Sequence, residues 1–294
     1  MQFQWYPGHM TKAKRQMQED IKLIDLVIEL VDARIPLSSR NPDIDELGKN
    51  KARLIIMNKS DLSDEEQNKE WASFFKAKGY YVVGLDARTK TGMKMVTNVV
   101  MEACKEKIER DRRRGILNRP VRAMVAGIPN VGKSTFINSF AGKACTKTGN
   151  KPGVTKGAQW VRLNKQVELL DTPGILWPKF EDETTGIHLA FTGAVKDEIM
   201  DLETLACHLI ELLARRYPQA LAERYKLEAD PGLPGWELLE LCGKKRGFRI
   251  SGGEVDTERM AKVLLDEYRS GKLGNLTFET PQDLESREAA HGRD

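Results

Sequence analysis

The stretch GIPNVGKS at residues 127–134 fits the pattern G-x-x-x-x-G-K-[ST]. The apolar run at 121–126 predicts a buried strand that enters this stretch, and 134–140 has the pattern of a helix that leaves it. In that setting the glycines let backbone N–H groups close around a phosphate, and the positive end of the helix dipole points at it. The stretch therefore predicts an α/β fold around a phosphate-binding loop, with an ordinary glycine-rich turn as the alternative.

The residues of this loop have separate tasks. The ammonium of Lys133 supplies a positive charge to the β- and γ-phosphates, and the hydroxyl of Ser134 supplies one oxygen ligand to Mg²⁺. We expect the nucleotide to contact six consecutive residues, Asn130, Val131, Gly132, Lys133, Ser134 and Thr135.

A second acidic turn, DTPG at residues 171–174, follows an apolar run at 167–170. A P-loop enzyme places its second acidic residue here, where Asp171 would hold Mg²⁺ through water and the amide of Gly174 would sense the γ-phosphate. The alternative is a turn without such a role.

The segment between these motifs, residues 143–156, is basic, contains Gly and Thr, and has no apolar periodicity. These features favour a switch loop that closes over the nucleotide. Thr155 is the best candidate to bring its hydroxyl to Mg²⁺, and Thr146 and Thr148 compete with it.

The stretch NKSD at residues 58–61 follows the apolar run 54–57 and indicates which base is bound. A carboxylate from Asp61 can accept hydrogen bonds from both N1–H and the exocyclic amine of guanine, whereas adenine offers no such pair of donors. The stem of Lys59 can cover the ring, and Asn58 can tie this loop to the phosphate loop. The pattern predicts GTP and GDP as ligands; a solvated cap of the next helix is the alternative.

Apolar patterning divides the chain into two parts. Helices and short strands alternate from residue 11 to about 180, which predicts a mainly parallel sheet, and 92–113 reads as one long helix. Residues from 201 onward look helical, with an apolar stripe at Leu202, Leu205, Ala206, Leu209 and Leu213. We predict a GTPase domain at 1–180 that includes the segment 1–24, a helical domain at 181–282, and a polar tail at 283–294.

Composition excludes several classes of protein. The 294 residues are 40% hydrophobic and 31% charged, which excludes a disordered chain, and the net charge of +4 decides nothing about partners. The four cysteines include no C-x-x-C pair, so we expect a reducing compartment and neither a disulfide framework nor a zinc knuckle. No apolar run approaches the roughly 20 residues of a membrane span, and no secretory signal is visible. We therefore expect a cytoplasmic protein.

The order of the motifs is unusual, because the base-reading motif at 58–61 precedes the phosphate loop by more than sixty residues. This order resembles the circularly permuted GTPase family. Three stretches, QWYPGHM at 4–10, VDARIP at 31–36 and DTPGILWP at 171–178, are similar to its ribosome biogenesis GTPase A subgroup. The resemblance covers nearly the whole chain and implies a P-loop GTPase fold with permuted motif order, followed by a small all-α C-terminal domain.

The resemblance also implies a function. It implies a GTP-binding and GTP-hydrolysing assembly factor for the large ribosomal subunit, which binds precursor particles and rRNA in the GTP state and leaves after hydrolysis. GTP, GDP, Mg²⁺ and K⁺ are the expected cofactors; we expect a monomer with no membrane and no DNA partner. The alternatives are a GTP-dependent scaffold acting on a protein or membrane partner without RNA, and a P-loop kinase or ATPase.

Ile175 stands directly after the DTPG turn, where Ras-like enzymes carry a Gln that orients the attacking water. An aliphatic side chain cannot orient water, so we expect slow intrinsic hydrolysis that the ribosome stimulates. The resemblance implies that His9 polarises the water, with packing of His9 against neighbouring aromatic rings as the alternative. It further implies that Asn130 holds K⁺, and the Ala87 amide could reach guanine O6, although an Asp replaces the usual preceding Ser. The catalytic candidates are His9, Lys133 and Thr155.

Two clusters of basic residues are candidate RNA contacts. Residues 105–122 carry eight Lys or Arg against three acidic residues, and four basic residues within 244–249 flank Phe248, whose ring is available for stacking. Such patches bind phosphate backbones through counterion release. A solvated face is the alternative for each cluster.

Overall fold

The computed structural model describes residues 8–89, 92–146, 158–176 and 183–284. Its strands are β1 (Leu26–Asp32), β2 (Ala52–Asn58), β3 (Tyr81–Leu85), β4 (Val121–Gly127), β5 (Gln159–Arg162) and β6 (Val167–Asp171). They form one sheet in the order β3-β2-β1-β4-β6-β5, in which only β5 is antiparallel to its neighbour. The predicted α/β class is confirmed.

Helices cover this sheet, and their starts show which of them are capped. Asp64 accepts a hydrogen bond from Gln67 N at 3.0 Å and caps one helix, whereas Gly132 precedes another and has no side chain with which to cap it. An uncapped start leaves backbone N–H groups for an anion. The helices are α1 (Gly8–Asp20), α2 (Pro42–Leu47), α3 (Glu65–Ala77), α4 (Met93–Ala103), α5 (Lys105–Arg113) and α6 (Lys133–Ala141).

The centre of the sheet is apolar on both faces. Every residue of β1 is buried, as expected for a parallel strand covered on both sides. Trp71 and Phe75 of α3 belong to the same buried cluster as Met57 of β2. Glu29 and Asp32 are the charged residues of β1, and the Glu29 carboxylate accepts a hydrogen bond from Arg53 at 2.8 Å, which offsets part of the cost of burying it.

The C-terminal part is helical. Of the predicted apolar stripe, Leu205, Ala206, Leu209 and Leu213 are fully buried, whereas Leu202, the first residue of its helix, is half-buried. The helices are α7 (Glu183–Phe191), α8 (Leu202–Arg216), α9 (Pro218–Tyr225), α10 (Gly235–Arg246) and α11 (Thr257–Arg269). Within the described ranges, no helix combines the length and the apolar character needed to cross a membrane.

The chain divides into two compact units, residues 1–181 together with 277–294, and residues 182–276. We predicted that the helical domain extends to residue 282, but the helical unit ends at Leu276. The chain then returns to the first unit, where Phe278 N donates to Arg34 O at 2.9 Å and Trp71 Nε1 donates to Glu279 O at 3.0 Å. We call residues 277–279 the return segment. Of the predicted polar tail, 285–294 lies outside the described residues.

Candidate functional site

The predicted motifs meet at one edge of the sheet. Asn58 ends β2, Gly127 ends β4 and Asp171 ends β6, and these strands run in the same direction. Their carboxyl ends therefore lie side by side although the motifs are far apart in the chain. This edge is where open α/β sheets bind ligands.

The phosphate loop is closed around its own lysine. Lys133 is 6% exposed, and its Nζ donates to Gly127 O at 3.0 Å and to Ile128 O at 2.8 Å. Gly132 has φ 100°, and a Cβ added there would lie 2.4 Å from Asn58 Nδ2. Only glycine fits this position, since a side chain would meet both backbone strain and a collision.

Lys133 faces Asp171 across the loop. Burial lowers the pKa of Lys133, and the charge of Asp171 opposes this shift. Burial raises the pKa of Asp171, and the charge of Lys133 opposes that shift. Asp171 is 1% exposed, and its Oδ1 has no hydrogen-bond partner among the described residues. A buried carboxylate oxygen without a donor is a ready ligand for a cation.

Gly174 lies against the phosphate loop. A Cβ added to it would lie 2.8 Å from Pro129 N and 2.9 Å from Lys133 Nζ, so its backbone is next to the Lys133 ammonium. Ile175 is 4% exposed and its carbonyl accepts from Asn41 Nδ2 at 3.3 Å. The residue at the Gln position of Ras-like enzymes is thus aliphatic and buried, and it cannot orient water.

Asn58 joins the phosphate loop to residues 58–61, which we call the base loop. Its Nδ2 donates to Val131 O at 2.7 Å, as predicted from its place in the motif. Its Oδ1 accepts from Ala87 N at 2.9 Å. We expected the Ala87 amide to reach guanine O6, but the structure commits this N–H to Asn58, because the loop after β3 folds onto the end of β2.

Lys59 has a left-handed backbone conformation, and its ammonium is fixed by two hydrogen bonds. Its backbone has φ 60°, and its Nζ donates to Asp32 Oδ2 at 2.8 Å and to Asn130 O at 3.2 Å. Burial alone would raise the pKa of Asp32, but the charges of Arg34 and Lys59 outweigh it and hold that pKa well below its usual value. The sequence contained Asp32 and Arg34 in the stretch VDARIP, yet nothing in it indicated this contact.

Asp61 is the last residue of the base loop, and its side chain is 33% exposed. Its carboxylate is paired with Arg88, whose Nε also donates to Asp86 Oδ1 at 3.0 Å. The arginine occupies the acceptor that we assign to guanine. Sequence reasoning missed Arg88, because only the fold of the loop after β3 brings it to Asp61.

Comparisons with known proteins show the family to which this chain belongs. Residues 122–229 match the family described as 50S ribosome-binding GTPase. Ribosome biogenesis GTPase A of Bacillus cereus is 48% identical, over 97% of this chain and 96% of that protein. The chain belongs to the ribosome biogenesis GTPase A family. A GDP-bound YlqF structure has a TM-score of 0.67 at 28% identity over 91% of this chain and 100% of that one. The GNP-bound YlqF of Thermotoga maritima has a TM-score of 0.63 at 29% identity over 92% and 98%.

Membership of this GTPase family makes the chain a GTP-hydrolysing enzyme that binds GTP and GDP through a P-loop, and the permuted order of its motifs agrees with its YlqF neighbours. Mg²⁺ accompanies the nucleotide in such enzymes. The described residues fit this cation, since Asp171 has an unpartnered buried oxygen and Ser134 lies in the first turn of α6. These two residues would hold Mg²⁺, which supplies positive charge to the phosphate oxygens when bound.

Some predicted catalytic residues fall outside the described part of the chain. Thr155 and Thr148 lie in the gap at 147–157, and the side chain of His9, near the start of α1, is also outside the description. Thr146 is described, and its Oγ1 lies 3.3 Å from Ser134 O and 3.2 Å from Asn138 Oδ1. Thr146 is therefore bound to α6.

The first basic cluster, residues 105–122, is partly neutralised. Lys107 Nζ lies 3.2 Å from both Asp25 Oδ2 and Asp111 Oδ2, and Arg122 Nε lies 3.4 Å from Glu168 Oε2. Several arginines remain exposed at the end of α5 and just after it: Arg110, Arg112, Arg113 and Arg114. This end of the cluster carries the positive surface.

The second basic cluster, residues 244–249, is also partly neutralised. Arg246 Nη2 lies 2.7 Å from Glu267 Oε1, and Lys244 Nζ lies 2.6 Å from Glu240 Oε1. The guanidinium of Arg259 lies 4.3 Å from the ring centroid of Phe248. One face of the ring that we expected to stack on a base is thus covered by an arginine of α11.

Proposed function

We propose that this GTPase is an assembly factor for the large ribosomal subunit, which binds precursor particles in its GTP form and leaves after hydrolysis. The observation that carries the nucleotide site is the bond from Asn58 Nδ2 to Val131 O, which joins the base loop to the phosphate loop. The ribosomal target is supported by the name of the relatives that match nearly the full length of the chain.

The chemistry proposed for hydrolysis follows from the site. The ammonium of Lys133 stabilises charge on the phosphates, and the amide of Gly174, beside it, senses the γ-phosphate. Since Ile175 cannot orient water, intrinsic turnover is slow and the complete site forms on the ribosome. In this proposal His9 positions the water, Thr155 closes over Mg²⁺, and Asn130 holds K⁺ beside the phosphates.

The proposed partner is rRNA, and the exposed arginines of residues 110–114 are the best supported contact in the described part of the chain. Guanidinium groups release counterions when they bind a phosphate backbone. The cluster at 244–249 contributes less, since Glu240 and Glu267 already neutralise two of its basic residues.

One experiment tests this function directly. Turnover of GTP is measured with and without large-subunit precursor particles, in K⁺ and in Na⁺, while particle binding is measured with a GTP analogue and with GDP at several salt concentrations. We expect stimulation by the particles, higher turnover in K⁺, and binding that needs the GTP analogue and weakens with salt. Equal binding with both nucleotides would contradict the switch, and binding that salt does not affect would point to a protein partner.

A further inference from the structure

The stretch VDARIP at residues 31–36 has no task in the function described so far, yet it contains a buried ion pair. Asp32 and Arg34 are each 1% exposed. Arg34 Nε donates to Asp32 Oδ1 at 2.9 Å and Arg34 Nη2 donates to Asp32 Oδ2 at 2.8 Å. This two-point contact fixes the orientation of the carboxylate.

The second oxygen of that carboxylate also accepts from Lys59. Asp32 Oδ2 and Lys59 Nζ are 2.8 Å apart, and the same ammonium reaches Asn130 O of the phosphate loop at 3.2 Å. The Lys59 side chain is 22% exposed, so it retains a free surface. Its end is anchored by one carboxylate and one carbonyl, and its stem is the part that we assign to the ring of the base.

The loop that follows β1 is held by a residue from the far end of the chain. The Glu279 carboxylate accepts from Leu37 N at 2.7 Å and Ser38 N at 3.0 Å, and from the Ser38 hydroxyl. In the same loop, the hydroxyl of Ser39 accepts from Asp32 N at 2.9 Å. Glu279 is 1% exposed, so its carboxylate is buried, and the hydrogen bonds from this loop offset part of the cost of burying that charge.

The return segment makes further contacts with both parts of the base site. Phe278 N donates to Arg34 O at 2.9 Å. The hydroxyl of Thr277 accepts from Asp64 N at 3.0 Å, three residues after Asp61. The segment therefore touches the loop after β1 and the loop after β2, which are the two loops that present Asp32 and Lys59.

We propose that Asp32, oriented by Arg34, is a positioning residue of the guanine site that acts through Lys59, and that Glu279 of the return segment holds the loop which carries this pair. The proposal rests on the assignment of residues 58–61 as the base reader. Without the charge of Asp32, the Lys59 ammonium faces the positive Arg34 and turns to solvent, so its stem no longer covers the ring.

A double-mutant cycle tests this coupling. Affinities for GDP and for IDP are measured for the wild type, Asp32→Asn, Lys59→Ala and the double variant. We expect Asp32→Asn to weaken both nucleotides by the same factor, about tenfold, because the Lys59 stem contacts the ring face and not the amine that IDP lacks. We also expect the double variant to bind no more weakly than Lys59→Ala alone.

The outcomes separate this proposal from the function on which it rests. If Lys59→Ala weakens binding and the two effects multiply in the double variant, Asp32 does not act through Lys59 and the proposal is overturned. If Lys59→Ala leaves both affinities unchanged, the base-reading assignment itself is wrong, and the proposal is overturned with it.

Two further variants guard against loss of folding. Asp111→Asn is the matched control, since Asp111 is a buried acid of α5 that binds Lys107 and lies away from the loops after β1 and β2; we expect a lower melting temperature with affinity within about twofold of wild type. If Asp32→Asn does not fold, because it removes the negative charge that faces the buried Arg34 guanidinium, the variant Asp32→Asn with Arg34→Gln removes both charges and replaces it in the cycle. Glu279→Gln is expected to weaken GDP about threefold, and an unchanged affinity would overturn the role of the return segment.

Discussion

On the phosphate side of the site, Lys133 bonds to carbonyls five and six residues away, whereas on the base side Lys59 bonds to partners 27 and 71 residues away. The phosphate loop is a local structure: one strand end, one loop and one helix start contain it. The base side is assembled from three loops and from the return segment. The site therefore has a local half, which is the phosphate loop, and an assembled half, which is the base side built from segments far apart in the chain.

This difference has a physical consequence. A local loop needs only its own glycines and the strand and helix beside it, so a substitution within it directly removes a group that would act on the phosphates. An assembled half depends on contacts that close long stretches of chain, and each of them contributes about 1 kcal/mol net. Substitutions on the phosphate side should thus abolish activity, whereas those on the base side should change nucleotide affinity and base preference by smaller amounts.

Lys133→Ala is the largest expected effect and tests the phosphate half. We expect GTP turnover to fall about a thousandfold, because the ammonium that stabilises charge on the phosphates is removed from a buried site. Turnover with large-subunit particles at saturating GTP is the measurement. Lys165→Ala, an exposed lysine in the turn between β5 and β6, is the matched control and should keep its turnover. A loss of less than about tenfold in Lys133→Ala would mean that another group carries the charge.

Asp61→Asn tests whether the assembled half sets specificity. We expect affinity for GDP to fall about a hundredfold and affinity for xanthosine diphosphate to rise, since the side-chain amide now donates where the carboxylate accepted. The exposed Glu65→Gln, at the start of α3, is the control and should change neither affinity. An unchanged preference in Asp61→Asn would remove this residue from the base pocket.

Gly132→Ala tests the joint between the two halves, because its added Cβ would lie 2.4 Å from Asn58 Nδ2 at φ 100°. We expect the free energy of unfolding to fall by about 3 kcal/mol and GDP binding to weaken. Gly142→Ala is the matched control, since Gly142 has φ 70° with nothing within 4 Å; it should cost about 1 kcal/mol. Urea unfolding measures both variants, and equal losses would show that strain alone, without the contact to Asn58, decides the effect.

The local half is also the half that the sequence predicted well. The residues of the phosphate loop and the DTPG turn could be placed, because a strand end followed by a glycine-rich loop has few possible structures. The prediction of one continuous helix at 92–113 was wrong, because the helix breaks at the buried Cys104. Beyond this break, α5 is charged and buries only Asp111. A continuous helical pattern does not show where its apolar face stops.

The assembled half could be predicted only in part. Glu279 lies within 181–282, the range that we predicted for the helical domain, so its sequence context did not indicate that it returns to the first unit. Its partners Leu37 and Ser38 are 242 and 241 residues away, and no periodicity carries information over that distance. The same reason explains why Arg88 was missed at Asp61. Long-range ion pairs depend on which loops the fold brings together.

Arg88→Ala is the smallest expected effect and refines the base half. Arg88 is 62% exposed and pairs with the Asp61 carboxylate that we assign to guanine. Removing it frees the acceptor, so we expect GDP affinity to rise by less than about fivefold, and less at high salt, since exposed ion pairs contribute little. Lys69→Ala, which breaks an exposed pair with Glu66 on α3, is the control and should leave affinity unchanged. A tenfold fall in Arg88→Ala would instead place the guanidinium on the nucleotide, and the assembled half would then contain one more direct contact than Asp61 and Lys59 provide.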